Sequence, residues 1–276
     1  GENPTGGAEG MAQIFNILAI GQAGRIGFEA VALAASLRRS SPGFKGRLII
    51  AEPQPEAAWA GVETRLSDAQ RAALTGLGAE IVPFAATRFG RSYPHGNKIE
   101  ALTCLPDAQP FLFLDSDTLV LGDLAAMPFD FTRPTASLRR SATWPVPPPY
   151  GPGYDGIWRS LYQRFGLDFA SSLDRAQPDE HWERYLYFNA GWFFGADPAE
   201  FGRRYADWAE AIRNDPGDEL ACQVLELGCS HTVITWLSPL PAAAKHQRPA
   251  RHHPAPPGRG SPPESAARSW AERCIR

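Results

Sequence analysis

Residues 110–121 read PFLFLDSDTLVL, and this stretch decides the fold. Its first five residues, 110–114, predict a strand that is apolar on both faces, which is typical of a parallel strand covered by helices on each side. Asp115 and Asp117 follow this strand directly. Ligands in an open parallel sheet bind outside the carboxyl ends of the strands. The pattern therefore places two carboxylates at the mouth of a site.

The first half of the chain alternates apolar runs with helical patterns around this strand. Three further strands are predicted at residues 14–20, 47–51 and 80–84, and helices at residues 24–39, 66–77 and 97–105. Strands that alternate with helices indicate parallel pairing through crossover helices. The sequence thus predicts an α/β fold with a mostly parallel central sheet and helices on both faces.

The second half is less regular. Residues 143–156 are rich in proline and glycine and predict a long loop. A helix at 157–165, a strand at 185–194, helices at 198–214 and 218–227, and a strand at 231–237 are predicted after it. Four aromatic residues flank the loop: Trp144, Tyr150, Tyr154 and Trp158. They either form a binding lid, since flat aromatic faces with polar edges suit the stacking of sugar rings, or simply anchor the loop.

Composition limits the class of protein. The chain has 276 residues, is 43% hydrophobic and carries a net charge of −3, which fits one globular domain and argues against a protein built to grip nucleic acid. We predict a leader at residues 1–12, a single catalytic domain at 13–238 and a disordered basic, Pro-rich tail at 239–276. No run approaches the roughly 18 apolar residues of a transmembrane segment. The expected location is cytoplasmic, either free or peripheral to a membrane.

The two aspartates suggest a metal site. If the backbone stays extended after residue 114, residues two apart point the same way, so that Asp115 and Asp117 converge on one ion. Paired carboxylates suit a hard divalent cation, Mn²⁺ or Mg²⁺, and such an ion binds a diphosphate. Because two acids at the end of a buried strand are costly unless paired or metal-bound, the position supports a functional role.

Three segments together resemble a known family. The run FLFLDSDTLVLGDL at residues 111–124, the run YFNAGWFFG at 187–195 and the pair Asp218-Glu219 are similar, in order and spacing, to motifs of the GT-A-type nucleotide-sugar glycosyltransferases. The match is best with the retaining enzymes of family 8, which include glycogenin-like and bacterial galactosyltransferase-like proteins. The resemblance implies a GT-A-like fold, a nucleotide-sugar donor, UDP-linked, and a glycan or glycolipid as the acceptor.

The resemblance also implies roles for individual residues. Asp115 and Asp117 would bind the metal, with Asp115 also near the ribose or sugar of the donor. Asn189 and Gly191 would line the donor-sugar pocket. A late histidine supplies the third metal ligand in the family, and here His252 is the candidate. His252 lies in the Pro-rich tail without the usual basic motif after it, so a solvated histidine is the alternative.

Asp218 and Glu219 are the predicted catalytic residues. By resemblance, Asp218 would hold hydroxyls of the sugar or the acceptor, and Glu219 would lie near the anomeric carbon, where the family usually has glutamine. A carboxylate there could stabilise a cationic sugar centre or act covalently. The alternative is structural, because two acids at the start of a helix interact favourably with the helix dipole.

Three more residues are assigned to the donor site. Lys98 begins a helix just before the metal strand, where it could meet phosphate, the alternative being a surface lysine. Gly21 opens a glycine-rich turn after the first strand, which we place beside the base and ribose, and Ser116 lies between the two aspartates. The same glycines allow a dinucleotide-binding interpretation, but their spacing is G-x-x-G-x-x-G and the nearest acid that could bind the ribose, Glu52, lies too far along.

The sequence therefore predicts a metal-dependent glycosyltransferase. Charge that develops on the departing diphosphate would be neutralised by the cation held at Asp115 and Asp117. Two alternatives belong to other classes. One is a phosphatase of the haloacid dehalogenase type, which also carries Asp-x-Asp after an apolar strand but expects glycine and threonine next. The other is a homologue that binds a nucleotide sugar without turning it over.

Overall fold

The computed structural model describes residues 14–137, 142, 144–187 and 191–222. Within them the strands are β1 Asn16–Ile20, β2 Leu48–Pro53, β3 Ala79–Phe84, β4 Phe111–Leu114, β5 Thr135–Ala136 and β6 Trp192–Gly195. The α-helices are α1 Arg25–Ser40, α2 Asp68–Gly76, α3 Asn97–Glu100, α4 Tyr154–Arg164, α5 Phe169–Ser172 and α6 Pro198–Asn214.

The described strands form one six-stranded sheet in the order β3-β2-β1-β4-β6-β5. Strands β3, β2, β1 and β4 are parallel, whereas β6 runs antiparallel to both β4 and β5. The predicted α/β class with a mostly parallel sheet is confirmed. The carboxyl ends of β1, β2 and β4 consequently meet at one edge, where the site is expected.

Helices cover both faces of the sheet, as predicted. Side chains of β4 alternate between two cores: Phe111 packs edge-on against Phe201 of α6, with ring centroids 5.5 Å apart. Leu112 and Leu114 face the opposite core, which contains Leu33 of α1. This double burial is why the sequence of β4 is apolar at every position.

Two predictions in the second half need correction. The predicted strand at 185–194 is shorter and shifted, because β6 covers only Trp192–Gly195 and Tyr185–Tyr187 are not in a strand. The predicted loop at 143–156 ends early, because α4 already begins at Tyr154. The carboxylate of Glu180 caps α4 by accepting hydrogen bonds from the backbone amides of Tyr154 (2.5 Å) and Asp155 (3.1 Å). Because this capping residue lies more than 20 residues after the start of the helix, the sequence around Tyr154 contains no side-chain cap from which the start of α4 could be predicted.

Several boundaries also differ from the prediction. The segment predicted as a helix at 97–105 is α-helical only in α3 and continues as the 3₁₀ turn Ala101–Cys104. The segment predicted as a helix at 218–227 is a 3₁₀ turn over Asp218–Cys222, and its remaining residues lie outside the described part of the chain. The predicted leader, the strand at 231–237 and the tail also lie outside it. No helix among the described residues is long and apolar enough to cross a membrane.

Candidate active site at the carboxyl end of β4

Asp115 begins a tight turn. The backbone amide of Thr118 donates to the carbonyl oxygen of Asp115 at 3.0 Å, which closes a four-residue turn directly after β4. The premise of an extended backbone at this point is therefore wrong. Asp117 is exposed and Asp115 is partly buried, so the turn, rather than the pleat of a strand, presents the two carboxylates.

This turn, residues 115–118, is fastened to the strands on either side of β4. The hydroxyl of Ser116 is buried and donates to the carbonyl oxygen of Ile20, at the end of β1, at 2.6 Å. The backbone amide of Asp115 donates to the carbonyl oxygen of Gly191, just before β6, at 2.8 Å. The structure thus brings Ser116 and Gly191 to the turn, whereas Asn189 lies outside the described residues.

Lys98 forms an ion pair with the first aspartate. Its ammonium Nζ lies 2.8 Å from Oδ1 of Asp115, and its side chain is only 8% exposed. The ammonium also lies 5.6 Å from the centre of the Phe113 ring, within reach of its negative face. The alternative of a surface lysine is therefore wrong. Lys98 is a buried cation at the predicted metal site, and its partner could not be identified from the sequence.

Helix α3, which carries Lys98, is held by two other buried polar residues. Oδ1 of Asn97 accepts from the indole of Trp59 and its Nδ2 donates to Oε1 of Gln22, both at 3.0 Å. Glu100 accepts hydrogen bonds from the backbone amides of residues 87–89 at 2.6–3.1 Å. These bonds fix helix α3, from which Lys98 reaches Asp115, and Gln22 links α3 to the turn after β1. Asn97, Gln22 and Glu100 were not identified in the sequence, where each looks like an ordinary polar residue.

His95 also belongs to this region. Partial burial of the ring, and then the nearby Lys98 ammonium, lower the pKa of His95, while Asp115 acts in the opposite direction. A lowered pKa keeps the imidazole neutral at pH 7. His95 therefore adds no positive charge to that of Lys98 in the neutral range.

Gly21 is required by packing at the end of β1. Its amide donates to the carbonyl oxygen of Ala51 at 2.9 Å, which places its α-carbon against β2. A Cβ on Gly21 would lie 2.4 Å from Cγ2 of Ile50 and 3.2 Å from Cδ1 of Leu66. This close approach explains why glycine stands at position 21, whether or not a nucleotide binds nearby.

The Gly21→Ala variant tests this packing. Because the clash involves the rigid branch of a buried β-strand residue, we expect a loss of about 2 kcal/mol of stability, or roughly 5 °C in Tm. Gly43→Ala is the matched control, since a Cβ there meets nothing within 4 Å. Thermal unfolding of both variants checks the expectation, and equal Tm values for the two would contradict it.

Glu52 is not available to a ribose. It is 2% exposed at the end of β2, and its carboxylate accepts from Nη2 of Arg71 at 2.5 Å and from the amide of Leu66 at 2.8 Å. A buried carboxylate that is paired in this way is costly to redirect. The dinucleotide interpretation thereby loses its ribose-binding acid.

Asp218 and Glu219 lie against α4. The amide of Asp218 donates to the hydroxyl of Ser160 at 3.2 Å, and its side chain is exposed. Glu219 is 1% exposed, and its Oε1 lies 3.1 Å from Nη1 of Arg164. The contacts described for both residues are thus with α4 and not with the turn at 115–118. A direct catalytic role for either residue stays a prediction.

The aromatic residues around the Pro-rich loop differ in exposure. Trp144 and Trp158 are buried, at 3% and 1% exposure, and pack edge-on with ring centroids 5.4 Å apart. Tyr154 stacks on Tyr185 at 5.7 Å. Tyr150 alone of these residues is fully exposed. The buried pair favours the anchoring interpretation for the two tryptophans, and Tyr150 remains accessible to an acceptor.

The described residues contain no group of three or more His, Cys, Asp or Glu side chains that could hold a metal. They offer Asp115 and Asp117, and no partner for the exposed Asp117 carboxylate is found among the described residues. One or two carboxylates with donor phosphates and water are sufficient for Mg²⁺ in many sites. The predicted third ligand, His252, lies outside the described residues.

Comparison with known proteins gives one family. The model of a Rhodobacterales glycosyltransferase domain matches residues 17–227, which include every strand and α-helix described above except the first residue of β1. No curated protein matches the chain significantly.

Solved structures that are similar to the chain include two of LgtC and one of GlyE. An active-site mutant of LgtC is 15% identical, with 81% of this chain and 70% of LgtC covered and a TM-score of 0.44. The galactosyltransferase LgtC in complex with donor and acceptor sugar analogues is 18% identical over 74% and 69% of the two chains, with a TM-score of 0.41. The glycosyltransferase GlyE of Streptococcus pneumoniae TIGR4 is 14% identical over 75% and 42%, with a TM-score of 0.37.

Proposed function

The chain belongs to the Rhodobacterales glycosyltransferase domain family, and from this premise we propose that it is a metal-dependent, retaining enzyme that uses a nucleoside diphosphate sugar. The family confirms the prediction of a glycosyltransferase and gives no support to the phosphatase alternative. The proposed donor is UDP-linked, and the proposed acceptor is a hydroxyl of a glycan or glycolipid.

The observation that carries this proposal is the pair of opposite charges, Asp115 and Lys98, held at the carboxyl end of β4. The Asp115 turn is bonded to the end of β1 and to Gly191, and Asp115 is paired with the buried ammonium of Lys98. Acidic ligands for a cation and a cation for phosphate therefore stand side by side. This combination suits a diphosphate, which needs positive charge from both a metal and the protein.

Asp115 and Asp117 would hold the Mn²⁺ or Mg²⁺ ion. Asp117 fits this role because its exposed carboxylate has no partner among the described residues, and carboxylate oxygens are hard ligands. Bound there, the ion would act as a Lewis acid toward the diphosphate leaving group. Lys98, already desolvated and held by α3, would add a second positive charge at the same phosphates without further ordering.

The remaining donor-site residues would shape the pocket. Gly191 lies beside Asp115 and, with Asn189, is proposed to face the donor sugar. Gly21 lies at the end of β1, and Ser116 ties the Asp115 turn to that strand. We place the base and ribose along the turn after β1.

A panel of nucleotide sugars measured by thermal shift tests the proposal. We expect nucleotide sugars that share one particular nucleotide to raise Tm, and to do so only when Mn²⁺ is present, because the diphosphate binds through the ion. At 100 times the dissociation constant the gain is about 2.7 kcal/mol, or roughly 5–10 °C.

Two results would separate this proposal from its alternatives. Equal shifts in Mn²⁺ and in EDTA would contradict a metal-dependent donor site. If the donor stabilises the protein only with Mn²⁺ but is never cleaved, not even by hydrolysis in the absence of an acceptor, the protein would instead be a homologue that binds the donor without turnover.

A further inference from the structure

The environment of Glu219 is unusual for a carboxylate. Both of its oxygens are fully buried and accept no hydrogen bond from the residues that the structure describes, and the side chain is 1% exposed. Its charged partner is Arg164, whose Nη1 lies 3.1 Å from Oε1 and is itself buried without a hydrogen bond to any part of the chain that the structure describes. In this arrangement Glu219 has no surface that a substrate could touch.

Burial makes the two charges depend on each other. A carboxylate without hydrogen bonds is stable in a protein interior only if a cation compensates it. Removal of one member of such a pair leaves an uncompensated buried charge, whereas replacement of both by apolar side chains is often neutral. The pair is therefore suited to holding two segments together, namely the end of α4 and the turn that contains Glu219.

The turn packs closely on α4. A Cβ on Gly217 would lie 2.3 Å from Oγ of Ser160, 2.9 Å from Nη2 of Arg164 and 3.0 Å from Oε2 of Glu219, so a larger residue there would displace the side chains of this pair. The next amide, that of Asp218, donates to the same Ser160 hydroxyl at 3.2 Å. These contacts leave the side chain of Asp218 exposed, while that of Glu219 points into the protein.

We propose that Arg164 and Glu219 form a structural ion pair that positions Asp218, so that Asp218 is the member of the Asp218-Glu219 pair that faces the substrate. Arg164 and Glu219 are thus positioning residues and not catalytic ones. The assignment of Asp218 to a substrate hydroxyl depends on the proposed function, whereas the structural pair does not. The pair also accounts for an acid at position 219, since an amide there would leave Arg164 without a counter-charge.

Stability measurements test the pair first. Arg164→Met is expected to lower Tm by about 10 °C, and the double variant Arg164→Met/Glu219→Leu is expected to recover most of that loss. Arg164→Lys, which keeps the charge, should lie between Arg164→Met and the native protein. Arg159→Met is the control, because Arg159 forms an exposed ion pair with Asp155 on the same helix and otherwise lies over the Phe169 ring at 4.6 Å, so that its loss should change Tm by no more than about 4 °C.

A local measurement gives an answer even where Arg164→Met folds poorly. Hydrogen exchange of residues 217–222 should speed up in Arg164→Lys, since the weaker pair releases the amide of Asp218 from Ser160, and should stay slow in Arg159→Met. Additive Tm changes in the double variant, or unchanged exchange in Arg164→Lys, would overturn the structural pair.

Activity then separates the roles of the two acids. The assay is UDP release from UDP-glucose, UDP-galactose and UDP-N-acetylglucosamine in Mn²⁺. Asp218→Asn should lose at least about tenfold in rate at unchanged Tm, and Arg164→Met/Glu219→Leu should lose less than Asp218→Asn. A stable but inactive double variant, with Asp218→Asn still active, would show that Glu219 takes part in the chemistry and would overturn our assignment. If the native protein releases no UDP, the proposed function fails, while the Tm and exchange results still decide the structural pair.

Discussion

The Asp117→Ala variant is expected to lose Mn²⁺-dependent turnover by at least about 10³-fold while it keeps the stability of the native protein. Turnover falls because the exposed carboxylate of Asp117, which has no partner among residues 14–137, 142, 144–187 and 191–222, is proposed to bind the ion directly. Stability is retained because exposed side chains without partners contribute within about 0.5 kcal/mol. UDP release and thermal unfolding, measured on one preparation, check both halves.

Asp115→Asn is expected to behave differently at the same site. It should lose turnover to a similar extent but also lower Tm, because Lys98 is only 8% exposed and loses its counter-charge. Asp107→Ala is the control for both variants, since Asp107 is an exposed carboxylate just before β4, at the opposite end of the strand. Turnover in Asp117→Ala that stays close to that of Asp107→Ala would exclude the proposed metal ligand.

The parallel half of the fold could be predicted from the sequence because its signals are local. Strands β1, β2 and β4 are runs of buried, mainly apolar residues, and α6 begins after the capping residue Asp197 with proline at its first position. The antiparallel half was predicted less accurately from the sequence. Strand β5 has only two residues. Strand β6 is preceded by Tyr185 and Tyr187, which favour a strand by residue type but are not part of the sheet.

The candidate site likewise has a part that could be predicted from the sequence and a part that could not. The two aspartates could be placed at the end of β4 because their position follows from the class of sheet. Their environment could not be predicted, since it depends on pairs such as Lys98 with Asp115 and Arg164 with Glu219, which lie on different elements. Charge pairs between elements have no periodicity, and nothing in the residues around them reveals a partner.

Lys98→Met is expected to change metal binding and donor turnover in opposite directions. Lys98 neutralises Asp115 at 2.8 Å, so its removal should strengthen the binding of Mn²⁺ alone by about tenfold, which corresponds to roughly 1.4 kcal/mol. The same variant loses the positive charge proposed to face the diphosphate, so that turnover of the donor should fall by about 10²-fold.

Calorimetric titration of Mn²⁺ and UDP release, both measured on Lys98→Met and on the control Lys45→Met, separate the two effects. Lys45 is exposed, so its replacement should alter neither value beyond about twofold. Weaker Mn²⁺ binding in Lys98→Met would mean that the lysine is needed to hold Asp115 in place for the ion. Tighter Mn²⁺ binding together with unchanged turnover would mean that Lys98 compensates the charge of Asp115 and does not face the diphosphate. Only the opposed pair of changes fits a lysine that neutralises a metal ligand in the free protein and binds the donor in the complex.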